Sequence, residues 1–330
     1  MLQLTNTTPF AAQLAVLPNA QGIDTLYVMV KATFHVGSGL TLADVQGPPL
    51  PADVYWEEPG TSSLKYASDL HLGKPATDIV MLGSACAPQQ QDVTQLEVAL
   101  SVGNVKKTVR VFGDRMWRDG RISAPQPFTT MPMVYEKAYG GVQRVEDKVV
   151  SAEERNPVGC GYAGTRRGKE MNDVPLPNLE HPDQLIQSLT DQPTPACFGC
   201  CAPHWRPRAN YAGTYDETWQ TRRAPYLPED FDARFFNVAS PDLVYPGYLQ
   251  GGEPVQITHM HPGGPLHFTV PQIRLTAAVN IAGEEAHPAF ALDTLLLEPN
   301  ALKIGMVWRA AVLCDKKVLK IRDVTIGLSH

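Results

Sequence analysis

Cysteine and long hydrophobic runs are scarce in this sequence. Six cysteines in 330 residues are far below the density of disulfide-built secreted scaffolds, so we expect reduced thiols. No run approaches the roughly eighteen apolar residues of a membrane-spanning helix, and we expect no membrane partner. The cysteines are Cys86, Cys160, Cys197, Cys200, Cys201 and Cys314.

An excess of positive charge is also missing. The chain has 28 Lys and Arg against 34 Asp and Glu, a net charge of −6, which argues against nucleic acid as a partner. Residues 1–18 contain no Lys or Arg and therefore lack the basic part of a signal peptide. We expect a cytoplasmic protein.

Sequence motifs that carry catalysis are absent as well. The chain contains no GxSxG nucleophile elbow and no HExxH zinc helix. Gly73-Lys74 lacks the rest of a phosphate-binding loop, because Ser68 and Pro75 occupy the places of the required glycine and hydroxyl residue. The sequence therefore predicts a protein that is not an enzyme, with no catalytic residues and no cofactor.

Short apolar runs rich in β-branched residues and bounded by turn residues are the main positive signal. Residues 96–102 and 105–112 alternate on either side of Gly103-Asn104, which predicts a hairpin with a type II′ turn. The pattern predicts a mainly β fold of antiparallel sandwich or meander sheets with few short helices. Further strands are predicted at 26–34, 79–82, 274–281, 290–297, 304–312 and 318–326, the last four as an antiparallel meander.

The length of the chain and a charged stretch suggest how it is organised. A chain of 330 residues exceeds the size at which a single core usually stops growing, and the charges around 150–155 indicate an exposed connection. We predict an N-terminal β-rich part, residues 1–150, and a second part, residues 151–330, with an irregular segment followed by antiparallel strands. The two parts either fold separately or form one continuous domain.

Prolines and aromatic residues are interleaved between positions 175 and 236, a segment that we call the strap. Prolines interrupt regular elements, but a disordered linker would be poor in aromatics, so we expect a folded segment packed across the strands. The strap also holds the best helical pattern, at 183–189. Because Trp and Tyr are frequent at binding hot spots, the predicted partner-binding residues are Trp205, Trp219, Tyr215 and Phe198, with core burial as the favoured alternative for both tryptophans.

A cysteine cluster in the strap resembles half of a zinc site. Cys197 and Cys200 have CxxC spacing, and Cys201 and His204 follow closely, but no second pair of ligands lies at a usable distance. Ordinary buried thiols are the favoured interpretation, and a metal or redox role is the alternative.

A histidine cluster resembles the start of a cupin-like metal site. His259 and His261 have the HxH spacing that places two imidazoles on one face of a strand, and His267 follows six residues later. The carboxylate that should follow within a few residues is missing. We favour histidines that bond a turn at the end of a strand, and keep a metal-dependent β-barrel enzyme as the alternative function.

Read in order, the chain resembles the family known as domain of unknown function 2169. The resemblance covers almost the whole chain. It is carried by VKATF (30–34), SDL (68–70), KPATD (74–78), VFGDR (111–115) with Trp117, MPMVYEKAYGG (131–141), NPVG (156–159), LPNLE (176–180), HWRPR (204–208), GTYD (213–216) with Trp219, LPEDFD (227–232), RFFN (234–237), HP (261–262), LDT (292–294), EP (298–299) and WRA (308–310).

The resemblance implies a role in the bacterial type VI secretion system. Members of that family look like adaptors that couple PAAR-like tip proteins, or effectors carrying a PAAR-like domain, to the secreted spike. The family supplies no catalytic residues to transfer. One departure is the run from Cys197 to Cys201, where relatives tend to read Gly-Phe-Gly-Pro-Ile. A structural component of the secretion machinery is a further alternative.

Overall fold

The computed structural model describes residues 2–329 and is built mainly of β-strands. The strands of the first half are β1 Gln3–Asn6, β2 Ala11–Pro18, β3 Asp24–Val36, β4 Leu40–Leu42, β5 Val54–Tyr55, β6 Leu64–Tyr66, β7 Asp78–Met81, β8 Ser84–Cys86, β9 Gln95–Val102, β10 Val105–Phe112, β11 Trp117–Arg118, β12 Arg121–Ile122, β13 Thr130–Pro132, β14 Tyr139–Gly140, β15 Val142–Val145 and β16 Lys148–Ala152. Those of the second half are β17 Cys160–Gly161, β18 Leu179–Glu180, β19 Pro254–Thr258, β20 Leu266–Thr269, β21 Leu275–Ile281, β22 Glu284–Ala286, β23 Ala291–Glu298, β24 Lys303–Leu313 and β25 Ile321–Leu328.

Helices are short. One α-helix, α1, runs over Glu217–Arg222. The 3₁₀ turns are Pro88–Gln90, Tyr135–Lys137, Gly168–Met171, Arg208–Tyr211, Ala233–Phe236, Pro241–Leu243, Pro299–Ala301 and Asp315–Lys320. Within residues 2–329, no helix has the length and apolar character needed to cross a bilayer.

The largest sheet has six strands and is organised around β3. Its order is β2-β3-β24-β23-β7, and β4 pairs with the end of β3. Strands β3 and β24 are antiparallel over eleven residue pairs, from Thr25 with Leu313 to His35 with Lys303. Both strands are buried on both faces over most of their length, which explains why their sequences are nearly continuous apolar runs.

A five-stranded sheet contains the hairpin predicted from the sequence. Its order is β18-β10-β9-β19-β20, and β9 pairs with β10 from Val102 with Val105 to Gln95 with Phe112. Gly103 in the turn has a φ of 56°, the positive sign that a type II′ turn requires at its first central residue. The hairpin is confirmed.

The predicted C-terminal meander is wrong. Strands β21 and β25 pair with each other in a four-stranded sheet of order β1-β25-β21-β22, whereas β23 and β24 lie in the six-stranded sheet. Two pairs in these sheets, β1 with β25 and β7 with β23, are parallel. The alternation of apolar and polar residues predicts where a strand lies along the chain. Which strand it pairs with depends on residues far away in sequence.

The predicted helix at 183–189 is also wrong. That stretch forms turns, in which Glu180 accepts the Ile186 N–H at 2.7 Å and Asp191 accepts the Gln187 and Ser188 N–H groups at 2.8 Å. Carboxylates that bond nearby backbone groups compete with the helical pattern of bonds.

The sheets enclose a hydrophobic core to which residues from both the N-terminal and the C-terminal parts of the chain contribute. Apolar residues of β3, β7, β9, β19, β24 and β25 belong to one hydrophobic cluster, so residues on either side of the predicted connection at 150–155 share sheets and core. The fold class is confirmed as mainly β with mostly antiparallel sheets. Over residues 2–329 no sheet closes into a barrel.

Candidate functional site

The inner half of the strap is part of the core. Phe198 and Trp205 have no exposed surface. The Trp205 ring meets Tyr135 edge to face, with ring centroids 5.2 Å apart, and its Nε1–H donates to His204 Nε2 at 3.1 Å. Neither Phe198 nor Trp205 is available to a partner in this conformation, so core burial replaces the predicted contact for both.

The outer half of the strap carries its aromatics at the surface. We call residues 211–231 the aromatic lobe; the only buried residue in it is Pro228. Tyr215 is 54% exposed and lies edge to face on the half-buried Trp219, with ring centroids 4.7 Å apart. Tyr226 is also exposed. The predicted partner-binding residues Tyr215 and Trp219 therefore form one surface pair.

Local hydrogen bonds hold the aromatic lobe in shape. Asp216 caps α1 by accepting the Trp219 N–H at 2.8 Å, as aspartate commonly does at the start of a helix. Asp230 closes the loop by accepting from the N–H and the hydroxyl of Thr214, at 2.9 and 2.7 Å. The Trp219 indole N–H donates to the Tyr226 carbonyl at 2.8 Å. The exposed aromatics are thus presented on an ordered backbone, which lowers the entropic cost of binding.

The lobe is anchored to the turn between β2 and β3. The Arg223 guanidinium donates to the Ala20 carbonyl and, at 2.9 Å, to the Leu227 carbonyl. The Tyr226 ring packs against Gly22, where a Cβ would lie 3.2 Å from its Cγ. The sequence does not mark Arg223 or Tyr226 as site residues, because Ala20 and Gly22, on which they are anchored, lie about 200 positions away.

Several charged residues of the family-like segments are buried and paired. Lys74 Nζ lies 2.7 Å from Asp78 Oδ2 and 2.7 Å from Thr294 Oγ1. Burial lowers the pKa of Lys74, but the charges of Asp78 and other carboxylates raise it more, so it stays above its ordinary value. Asp78 also accepts from Asn237 Nδ2 at 3.0 Å and from the Val238 N–H at 2.8 Å. This ion pair therefore fastens the residues that directly follow the strap to β7.

A second buried group of charges adjoins the first. Arg309 Nε donates to Asp293 at 3.0 Å, and its guanidinium lies 3.0 Å from His71 Nε2. Burial, and next the charge of Arg309, hold the pKa of His71 well below its usual range. The His71 ring stacks on Phe236 with centroids 5.5 Å apart. Through the contact of His71 with Phe236, these groups hold the strap against the sheet.

A glycine pair in the segment 131–141 meets the segment 156–159 at close range. Gly140 has a φ of 154°, and a Cβ there would lie 2.1 Å from the Asn156 carbonyl oxygen. The Asn156 amide donates to the Tyr135 and Tyr139 carbonyls at 2.7 and 3.0 Å. Only glycine permits this approach, so this pair of segments has a packing role.

Two clefts flank the root of the aromatic lobe. The larger, of about 540 Å³, includes Lys107, and the smaller, of about 420 Å³, includes Arg234. Lys107 Nζ already bonds Ser240 Oγ at 2.7 Å and Asp242 Oδ1 at 2.9 Å, and Arg234 pairs with Asp232. Lys107 and Arg234 are thus already paired with other residues of the protein, so neither offers an unpaired charge to a ligand in these clefts.

The cysteine cluster does not converge on one point. Cys197 Sγ donates to the Met133 carbonyl at 3.3 Å, Cys201 Sγ lies 3.1 Å from the Tyr135 hydroxyl, and Cys200 Sγ lies 3.9 Å from the Lys65 carbonyl. Burial raises the pKa of Cys197 and of Cys200 to about 12. His204 is exposed, whereas the thiols are buried. The structure therefore favours protonated core thiols over metal-binding thiolates.

Of the three histidines in the predicted cluster, His259 and His261 lie in the loop after β19, whereas His267 lies on β20. His259 follows the end of β19 with a φ of 57° and its Nδ1 is 2.7 Å from the Glu97 carbonyl. His261 Nδ1 accepts the Gly263 N–H at 3.1 Å. The two residues are not on a strand, and the open sheets do not supply the barrel of the cupin-like hypothesis. Among the described residues, no three His, Cys, Asp or Glu side chains are grouped to hold a metal ion.

Chelation is expected to leave the thermal stability unchanged. A structural zinc site contributes on the order of ten kcal/mol to folding in small zinc domains, so its loss would lower the melting temperature by many degrees. Because Cys197, Cys200 and Cys201 each have a separate partner, we predict equal melting temperatures with and without EDTA. A large drop, or stoichiometric zinc in elemental analysis, would reassign these thiols and His204 as ligands.

Comparison with known proteins identifies one family. The model of the family described as "Uncharacterized protein conserved in bacteria (DUF2169)" matches residues 21–309. No curated protein and no solved structure matches the chain. The match includes the strap with its aromatic lobe, and β1 and β2 precede it.

Proposed function

This chain belongs to the family of uncharacterized bacterial proteins called domain of unknown function 2169, and from this premise we propose that it is a non-enzymatic adaptor. In this proposal it binds a PAAR-like tip protein, or an effector carrying a PAAR-like domain, and helps to load it onto the spike of the type VI secretion system. The secretion role rests on the resemblance described from the sequence.

The observation that carries the binding role is the aromatic lobe. This ordered surface segment, in which Tyr215 lies edge to face on Trp219, contributes almost no core, so core packing does not account for the exposed Tyr215. Tyr and Trp are enriched at binding hot spots because they bury a large area with little loss of side-chain freedom. The lobe is held by Asp216, Asp230 and Arg223, which makes it a preorganised contact surface.

The buried charges support a role without chemistry. Four ionisable residues of the family-like segments, Lys74, Asp78, Asp293 and Arg309, are paired with each other within the core. Their positions fasten the strap to the sheet. The scaffold then holds the lobe in place, and binding energy comes from the exposed aromatics.

Co-expression with a PAAR-like protein from the same genome tests the proposal. We expect the two proteins to elute together in size-exclusion chromatography at micromolar concentration. Truncating a hot-spot aromatic typically costs about 2 kcal/mol or more, so Tyr215→Ala is expected to weaken binding about thirtyfold with an unchanged melting temperature.

A matched surface variant controls for unspecific loss of apolar area. Leu319 is 99% exposed and lies outside the lobe, so Leu319→Ala should bind as the unmodified protein does. Separate elution of the unmodified proteins would refute the adaptor proposal. If Tyr215→Ala bound the partner as tightly as the unmodified protein, the contact surface would lie outside the lobe.

A further inference from the structure

Strand β2 forms an open edge of the six-stranded sheet. It pairs with β3 over eight residue pairs and has no strand on its other side within residues 2–329. None of its residues is buried, and Val16 is 37% exposed. Its outer row of backbone groups therefore faces no other strand in this part of the chain.

The register shows which backbone groups face outward. The Asn19 N–H donates to the Ile23 carbonyl at 2.9 Å, and the Cys314 N–H donates to the Asp24 carbonyl at 2.9 Å. Hydrogen-bonded positions alternate along an antiparallel strand. Since Asn19 bonds Ile23 and the register is continuous, the odd-numbered residues of β2 bond the odd-numbered residues of β3, and the even-numbered residues of β3 bond β24. The N–H and carbonyl groups of Ala12, Leu14 and Val16 then point away from the sheet, and they have no hydrogen-bond partner in the part of the chain that the structure describes.

This edge lacks the devices that usually protect an edge strand. Natural edges carry Lys, proline, bulges or very short strands. The register of β2 with β3 is uninterrupted, the first charged residue of the chain is Asp24, and the only proline in β2 is its last residue, Pro18. An eight-residue, uncharged edge of this kind is suited to pairing with another extended segment.

The open edge adjoins the aromatic lobe. Strand β2 runs directly into the turn on which the lobe is anchored, through Arg223 at Ala20 and Tyr226 at Gly22. An extended segment paired with β2 can therefore continue from the backbone edge onto exposed aromatic side chains. The lobe therefore lies next to the end of β2.

We propose that the edge of β2 binds an extended, uncharged segment of the client protein as an added strand. This inference rests on the proposed adaptor function and identifies how the client is held. The outward backbone groups of Ala12, Leu14 and Val16 supply three donors and three acceptors. Ala12 and Leu14 pack against the core on one face, so the client strand would place apolar side chains on that same face.

A client segment fits this edge better than a second copy of this chain. The edge of β2 is only about 26 Å long, at roughly 3.3 Å per residue. Contact between two folded copies along it is a small part of the about 1,600 Å² that a standard stable interface buries. A flexible segment can pair with β2 and also cover the aromatic lobe.

Hydrogen exchange of the whole protein, alone and with the co-expressed PAAR-like protein, tests the proposal. In the free protein we expect fast exchange at the amides of Ala12, Leu14 and Val16 and slow exchange at Gln13 and Ala15. In the complex, the first three should gain at least tenfold protection. If the complex forms without this protection, the strand addition is refuted while the adaptor function stands.

Two other outcomes also refute the strand addition. If no complex forms, both the strand addition and the proposed adaptor function are refuted. If the free protein is a dimer by light scattering, with these three amides already protected in a concentration-dependent way, the occupant of the edge is a second copy. Each outcome is read on the unmodified protein and does not depend on the folding of a variant.

Proline substitution gives an independent readout. Ala12→Pro removes an outward N–H, which an edge strand tolerates, and should weaken binding about tenfold at an unchanged melting temperature. Ala12→Ser keeps the N–H and should bind normally. Ala15→Pro removes an N–H that bonds β3 and should lower stability instead. Normal binding by a folded Ala12→Pro would overturn the proposal.

Discussion

Lys74→Met is expected to lower the free energy of unfolding by about 3–5 kcal/mol, because it leaves the carboxylate of Asp78 buried without its cationic partner. Lys74 and Asp78 are both buried, 2.7 Å apart. Methionine fills most of the lysine volume, so the loss reports the uncompensated charge and not a cavity. Asp78 also holds Asn237 and Val238, so we expect the strap to loosen at this end.

Urea unfolding followed by circular dichroism measures this loss. The matched control is Lys317→Met, since Lys317 lies 3.9 Å from Glu284 in an exposed pair, and surface substitutions usually change stability by no more than about 0.5 kcal/mol. Equal stabilities of the two variants would show that the Lys74 ion pair does not hold the fold. Faster proteolysis within residues 211–236 of Lys74→Met would locate the loosening in the strap.

Trp205→Ala is expected to cost about 3–5 kcal/mol of stability, as large-to-small changes at fully buried aromatics do. The side chain has no exposed surface and packs on Tyr135. Its removal would leave a cavity between the strap and the 3₁₀ turn at Tyr135–Lys137. Binding of the PAAR-like protein should be lost only in proportion to the unfolded fraction.

The second tryptophan of the strap is the control for the first. Trp219 is half-buried in the lobe, so Trp219→Ala should keep a melting temperature close to that of the unmodified protein and lose the partner. Thermal melts paired with pull-downs separate the two roles. If Trp205→Ala and Trp219→Ala both kept full stability and full binding, the division of the strap into an anchoring half and a binding half would be wrong.

The strap connects the stability of the fold to its proposed function. Its inner half, with Phe198 and Trp205, belongs to the core, and Asn237, the residue directly after the strap, bonds Asp78. Between these two anchors the lobe extends over the turn at Ala20. Weakening either anchor should therefore reduce client binding indirectly, with a loss of stability that Tyr215→Ala does not show.

Local sequence signals were enough to predict the mainly β fold and most long strands. The strand predicted at 26–34 lies inside β3, and that predicted at 304–312 lies inside β24, because alternation and apolar runs depend on neighbours within a few residues. The Gly103 turn was predicted for the same reason: glycine adopts positive φ without steric cost. The folded strap also follows from composition, since its aromatics require burial or contact.

Which strands are neighbours and which aromatics are exposed depends on the assembled fold, and the sequence did not predict it. The pairing of β24 with β3 and of β25 with β1 joins the two ends of the chain, and no local pattern encodes such a choice. Trp205 and Trp219 occur in similar proline-rich surroundings, yet one packs on Tyr135 and the other lies at the surface. Their difference, like the open edge of β2, depends on contacts between residues distant in sequence, which form only when the sheets assemble.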